Sequence, residues 1–225
     1  TKIRIANCLL RGNESTRGGA GYFYRSEPLF YNCAFIGNKG EFCAGVFLGT
    51  EADKPISPWV VNCTFVGNVS SNKSQAPGLF SSTLEGGCVI RNCVFWGNSF
   101  VEPSYYPAQF EGKLVASYTC ASGSPAWPPV LPQPNTIYSD PFFVDAKGAD
   151  GVYATDDDDV RFRPGSACID SGDSASVPAD AFDLDDDGDT SEPWPRDLEN
   201  GARSYDDPNT PNTGGGAAPY VDMGA

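Results

Sequence analysis

The string Asn-Cys-x-(Leu/Phe)-x-Gly-Asn occurs four times in this chain, from Asn7 to Asn13, Asn32 to Asn38, Asn62 to Asn68 and Asn92 to Asn98. The spacings from one copy to the next are 25, 30 and 30 residues, and a weaker fifth copy follows as Tyr118-Thr119-Cys120-Ala121-Ser122-Gly123. A repeat of this period describes one supersecondary unit copied along an axis, each unit burying its apolar face only against its neighbours. Apolar residues alternate with period two on both sides of the first Asn, as they do in a strand. Ile5, Phe30, Val60 and Ile90 lie two residues before it, Cys8, Cys33, Cys63 and Cys93 one after, and Leu10, Phe35, Phe65 and Phe95 three after. The parity changes across the Asn, so the chain bends there, and Asn tolerates the left-handed conformation a tight bend needs. A third motif, Gly-x-Phe, follows each loop at Gly21 to Phe23, Gly45 to Phe47 and Gly78 to Phe80, with Ala108 to Phe110 as a variant.

Strand, Asn bend, strand, Gly-Asn turn, loop, strand is the unit of an all-β, right-handed parallel β-helix. The expectation is about 4–5 coils and three sheets over residues 1–138, with rungs ~4.8 Å apart. Stacking puts like over like, so Phe35, Phe65, Phe95, Phe23, Phe47, Phe80 and Phe110 are expected in the core stack. Asn7, Asn32, Asn62 and Asn92 are expected to form a structural ladder of side-chain amides, beside an inward column of Cys8, Cys33, Cys63 and Cys93. A globular sandwich would leave the recurrence of residue types at equivalent positions unexplained. The column cysteines read as buried free thiols, because the strand spacing exceeds the ~3.5–4.5 Å between Cβ atoms that a disulfide wants. A bond among Cys43, Cys88, Cys120 and Cys168 stays open. The outward positions of the middle strand are mostly apolar (Ala34, Ile36, Val66, Val94 and Trp96 among them), and such a face is expected to be covered. The islands Pro141-Phe142-Phe143-Val144 and Val160-Arg161-Phe162 are the expected cover.

Charge divides the chain in two. Of 225 residues, 15 are Lys or Arg, 29 are Asp or Glu and none is His, a net charge of −14. Residues 1–138 hold 8 acids and 10 bases, a net of +2, and residues 139–225 hold 21 acids and 5 bases, a net of −16. A nucleic-acid partner is excluded by the missing positive footprint. Mechanisms with a histidine base or histidine metal ligand are excluded by composition. No apolar run approaches the ~18–20 residues needed to span a bilayer. Residues 139–225 therefore read as an acidic, Gly/Pro-rich, calcium-binding capping segment. Asp183, Asp185, Asp187 and Gly188 follow the Asp-x-Asp-x-Asp-Gly opening of a calcium loop, in which hard carboxylate oxygens meet a hard cation and Gly allows the turn. Asp189 and Glu192 complete that expected set, although the position where an EF-hand carries its last Glu is Trp194. A second expected set is Asp156 and Asp158, from a run of four Asp, with Asp150. A solvated acidic loop is the alternative at both places.

The phrases Ser139 to Asp145, Asp156 to Phe162, Arg163 to Asp173, Asp183 to Asp189 and Val221 to Ala225 resemble the C-terminal part of secreted or cell-surface bacterial right-handed parallel β-helix repeat proteins. The Phe-x-Gly-Asn copies are similar to the repeats of polymorphic outer-membrane adhesins. The resemblance implies the fold and an extracellular or cell-surface location, and it implies that the terminal phrase continues beyond Gly224-Ala225. The chain starts without Met and enters Ile3-Arg4-Ile5 at once, as expected of a piece of something longer. The leading functional expectation is a non-catalytic structural or adhesive module stabilised by Ca²⁺, part of a larger surface protein or assembly. Its expected partner is a second copy, in an oligomer or filament, stacked end-on at the open first coil. The alternatives are a polysaccharide lyase or hydrolase, or a glycan binder using Tyr22, Tyr24, Tyr105 and Tyr106. Fold analogy alone supports the first of these.

Overall fold

The computed structural model describes residues 2–51, 56–82, 87–102, 109–123, 134–181, 183 and 186–225. The repeats wind into a parallel β-solenoid of about four turns. The first coil holds β1 (Lys2–Ala6), β2 (Leu9–Arg11), β3 (Glu14–Arg17) and β4 (Gly21–Tyr24). The second holds β5 (Glu27–Tyr31), β6 (Ala34–Ile36), β7 (Lys39–Phe42) and β8 (Val46–Gly49). The third holds β9 (Trp59–Val61), β10 (Thr64–Val66), β11 (Val69–Ser70) and β12 (Leu79–Ser81). The fourth holds β13 (Cys88–Trp96), β14 (Ser99–Phe100) and β15 (Phe110–Gly112), and β16 (Leu114–Ala121) and β17 (Thr136–Ile137) continue the stack. Each strand pairs in parallel with its equivalent one coil on. β13 runs through its Asn bend, so the ladders on either side of the bend join into one sheet beside two further parallel sheets.

The bend residues are left-handed, with φ of 49° at Asn7, 52° at Asn32, 49° at Asn62 and 53° at Asn92. Tyr118 takes the same conformation at the fifth copy, φ 50°, where a bulky side chain bears the strain that Asn avoids. Inside, Phe35, Phe65 and Phe95 stack with centroids 4.3 and 4.5 Å apart and interplanar angles of 11° and 8°. All three are fully buried, and each contributes about 1.5–3 kcal/mol by leaving water. Cys33, Cys63 and Cys93 fill the adjoining column, and all eight cysteines are free thiols.

The third motif departs from expectation. Register pairs Tyr22 with Phe47 and Phe47 with Phe80, while Phe23 pairs with Leu48 and Phe110 with Leu79. Val46, Leu48, Leu79 and Phe110 therefore point into the core, with Phe23 packed against it, and Phe47 and Phe80 stand on the outer face. Phe47 is covered there by Tyr22 and Phe80, each 5.2 Å away between ring centroids. The cause is that the glycines are not equivalent. Gly45 and Gly78 sit at the corner before the strand, where a Cβ would stand 1.9 Å from Gly78 O and 2.4 Å from Gln109 O respectively. Gly21 is already within its strand and pairs with Val46. Ala108 lies outside the described residues.

After Ile137 the chain leaves the stack. β18 (Phe143–Asp145) and β19 (Asp159–Phe162) form an antiparallel pair. This C-terminal segment packs on the solenoid: Ala34, Ile36, Val66, Val94 and Cys120 of the outer face are buried together with Phe143, Cys168 and Met223. Trp96, Tyr153 and Phe162 lie against the same cluster. Residues 142 and 143 divide the work, with Phe143 buried and Phe142 half exposed.

Candidate functional site

Two asparagine columns run along the solenoid. In the one not anticipated, the second Asn of each repeat is the ladder. Asn38 Oδ1 accepts from both the backbone N–H and the side chain of Asn13, at 3.0 Å each. Asn68 does the same for Asn38, and Asn98 for Asn68. Gln109 Oε1 closes the series on Asn98, at 3.1 Å from its N and 2.8 Å from its Nδ2. Asn38, Asn68 and Asn98 also donate across to Leu10, Phe35 and Phe65 carbonyls. In sequence, Gly-Asn reads as a turn signal, which carries no mark of the amide ladder it forms.

The first Asn of each repeat has a mixed role. Asn32 donates to Asn7 Oδ1, and Asn92 to Asn62 Oδ1 at 3.3 Å. The same amides hook the C-terminal segment, one stretch per rung: Asn32 Nδ2 donates to Arg196 O, Asn62 Nδ2 to Asp222 O and Asn92 Nδ2 to Asp173 O. Arg203, 5% exposed, donates to Asn32 Oδ1 at 3.1 Å and to the Asp222 carbonyl at 2.6 Å. Gly224 N–H donates to Asn92 O, and Ala225 N–H to Thr64 Oγ1. The column is thus a rail on which the tail docks.

Behind the rail lie carboxylates that sequence reasoning did not single out. Asp170 is fully buried; it donates its N–H to Asp222 Oδ1 and accepts from Asp207 N on Oδ2, and its Oδ1 has no hydrogen-bond partner among the described residues. Burial pushes the carboxyl of Asp170 up from its ordinary value, with the Asp206 and Asp207 charges adding to the rise. Burial pushes Asp222 up as well, opposed by the Arg203 charge. The available signal was Arg203 itself, one of only five bases in the acidic half.

The expected metal ligands are placed otherwise. Asp183 Oδ1 accepts from Gly188 N at 3.1 Å, Asp187 Oδ1 from Asp189 N at 2.7 Å, and Asp189 Oδ1 from Ser191 N at 2.8 Å. Glu192 enters through its backbone, whose carbonyl accepts from Asp180 N. Asp185 lies outside the described residues, as do Tyr105 and Tyr106. In the other loop Asp150 Oδ1 accepts from Val152 N, Asp158 Oδ2 from Ala154 N, and Asp156 pairs with Arg11 of the first coil. Asp157 accepts from Thr155 Oγ1 and from Ala149 N, and those bonds hold its carboxyl below the usual value. The donor set is all carboxylate oxygen, suited to a hard cation. The geometry is of turns closed on their own N–H groups, and among the described residues no three Asp, Glu, Cys or His side chains converge as metal ligands.

At the N-terminal end, β1, β2, β3 and β4 are each the last strand of their ladders. No helix of the described residues is long and apolar enough to cross a membrane. No protein-family model, curated protein or solved structure matches this chain.

Proposed function

We propose that this chain is a non-catalytic structural module of an extracellular or cell-surface protein, working as an adhesive or assembly element and stabilised by calcium at its acidic loops. The observation that carries the reading is the asymmetry of the solenoid. Along its side the apolar face is sealed by the chain's own tail. Among the described residues the four strands of its first coil each pair on one side only, and such edges are templates for further strands. A second copy stacked end-on would continue the ladders in register. The bacterial and adhesin aspects rest on the resemblance of the repeats. The calcium aspect rests on the Asp183 to Asp189 sequence and its hard donors; an ion there would require the carboxylates to turn from their present N–H partners.

Sedimentation velocity across a concentration series tests the assembly. The module is expected to associate, and Thr16→Pro, a proline in edge strand β3, to abolish association without loss of the fold. A monomer at every concentration contradicts end-on stacking. For calcium, chelation is expected to lower the melting temperature through residues 139–225; an unchanged melting curve contradicts the assignment.

A further inference from the structure

We infer that the groove over β1, β5 and β9 is a binding site for a short acidic saccharide, held by the ring of Trp59 and a rim of cations. The inference goes beyond the structural reading and does not depend on end-on stacking. The groove has a volume of about 830 Å³ and is walled on the far side by residues 175–178 of the docked tail. A volume of this size falls within the ~300–1,000 Å³ of small-ligand sites. Its floor is the outer face of parallel strands, so successive rungs offer groups at ~4.8 Å intervals.

Three observations give the ligand's chemistry. First, Trp59 is 45% exposed on this floor, in the column of Leu29. Its exposed flat ring beside a polar rim suits the apolar CH face of a pyranose. Second, Lys2, Arg4 and Arg91 line the groove against one acid, Glu27. The solenoid half carries a net charge of only +2, so three cations against one acid concentrate its positive charge in this groove and select a ligand carrying carboxylate or sulfate on the ring edge. Third, Arg91 is held in place: its Nη1 donates to Ile90 O at 2.9 Å and Val115 O at 3.3 Å. Arg4 pairs with Leu29, Leu29 with Trp59, and Val61 with Arg91. Arg4 thus lies two rungs to one side of Trp59 and Arg91 one rung to the other, a span of four rungs or about 14 Å, which is room for an oligosaccharide. The acidity of the remaining surface works against a long polyanion.

Isothermal titration of the full chain with tetragalacturonate, in the presence of a chelator so that calcium bridging at the acidic loops plays no part, tests this. Binding is expected. Trp59→Ala should weaken it about tenfold or more with an unchanged melting temperature, and Arg91→Gln should weaken it and reduce its salt dependence. The carboxyl-reduced, neutral tetrasaccharide should bind about tenfold more weakly. Absence of binding, equal binding of the neutral sugar, indifference to Trp59→Ala, or equally tight binding of hexaglutamate would each overturn the inference.

Discussion

The side-chain amide of Asn92 meets the backbone of Asp173 from both directions. Asn92 Nδ2 donates to Asp173 O at 3.0 Å, and Asp173 N–H donates to Asn92 Oδ1 at 2.7 Å. These residues are 81 positions apart, one in the bend of a solenoid coil and one in the acidic tail. The bend asparagine therefore has two separable tasks, taking a left-handed backbone and presenting a paired donor and acceptor to the tail.

Asn92→Gly separates those tasks. Glycine keeps the left-handed bend at no steric cost, but leaves Asp173 N–H without its partner. The expected loss is about 1–3 kcal/mol, measured by urea unfolding, together with faster proteolysis within residues 168–225. A variant as stable and as resistant as the parent would mean that the rail does not hold the tail.

Phe65 lies between Phe35 and Phe95 with no solvent contact. Phe65→Ala is expected to cost about 3–5 kcal/mol as a core cavity. An unaffected unfolding midpoint would contradict the inward parity of the repeat.

Thiol titration of denatured, unreduced chain should count eight cysteines, because all eight are free. In the native chain Cys43, Cys63 and Cys88 should stay unreactive near neutral pH, since burial pushes their thiols well up. Cys8, only partly buried in the first coil, should react first. A count short by two would reveal a disulfide; Cys120 and Cys168, in side-chain contact with each other, are the pair to inspect.

The pH dependence of stability should have two limbs of opposite sign. Asp170 and Asp222 have raised folded values, so the stability they allow is fully present below their unfolded value, near the ordinary 3.8, and is lost as pH rises through the folded values. Asp157, Asp159, Asp189 and Asp207 have lowered values. Their contribution is present above the same unfolded value and is lost as pH falls through the folded ones. The melting temperature should therefore rise on acidification from neutrality toward about pH 4 and fall below it. Asp222→Asn should flatten the upper limb and leave the lower one. A melting temperature that only falls on acidification would contradict the assignment.

The solenoid was legible because stacking repeats a chemical environment, and a repeated environment selects a repeated residue. Ile5, Phe30, Val60 and Ile90 share a column for that reason. Legibility failed where one residue type serves two positions. Glycine marks a corner at Gly45 and Gly78 but a strand at Gly21, and aligning by glycine moved Phe47 and Phe80 to the wrong face. The tail obeys no period, and only its apolar islands announced where it packs. Its docking contacts use mostly backbone groups, such as the carbonyls of Arg196, Asp173 and Asp222, and a backbone carbonyl leaves no trace in residue identity. The acidic loops show the converse: the Asp pattern at 183–189 is plain in sequence, yet the same pattern also closes a turn on its own N–H groups.

Hydrogen–deuterium exchange of the intact chain is the most direct test of the central claim, that the acidic tail is docked along the asparagine rail as part of one folded unit. Amides of residues 168–173 and 221–225 should exchange as slowly as those of β10 and β13, reflecting bonds such as Met223 N–H to Cys168 O and Gly224 N–H to Asn92 O. Complete exchange of both tail stretches within seconds, while the coils stay protected, would contradict it.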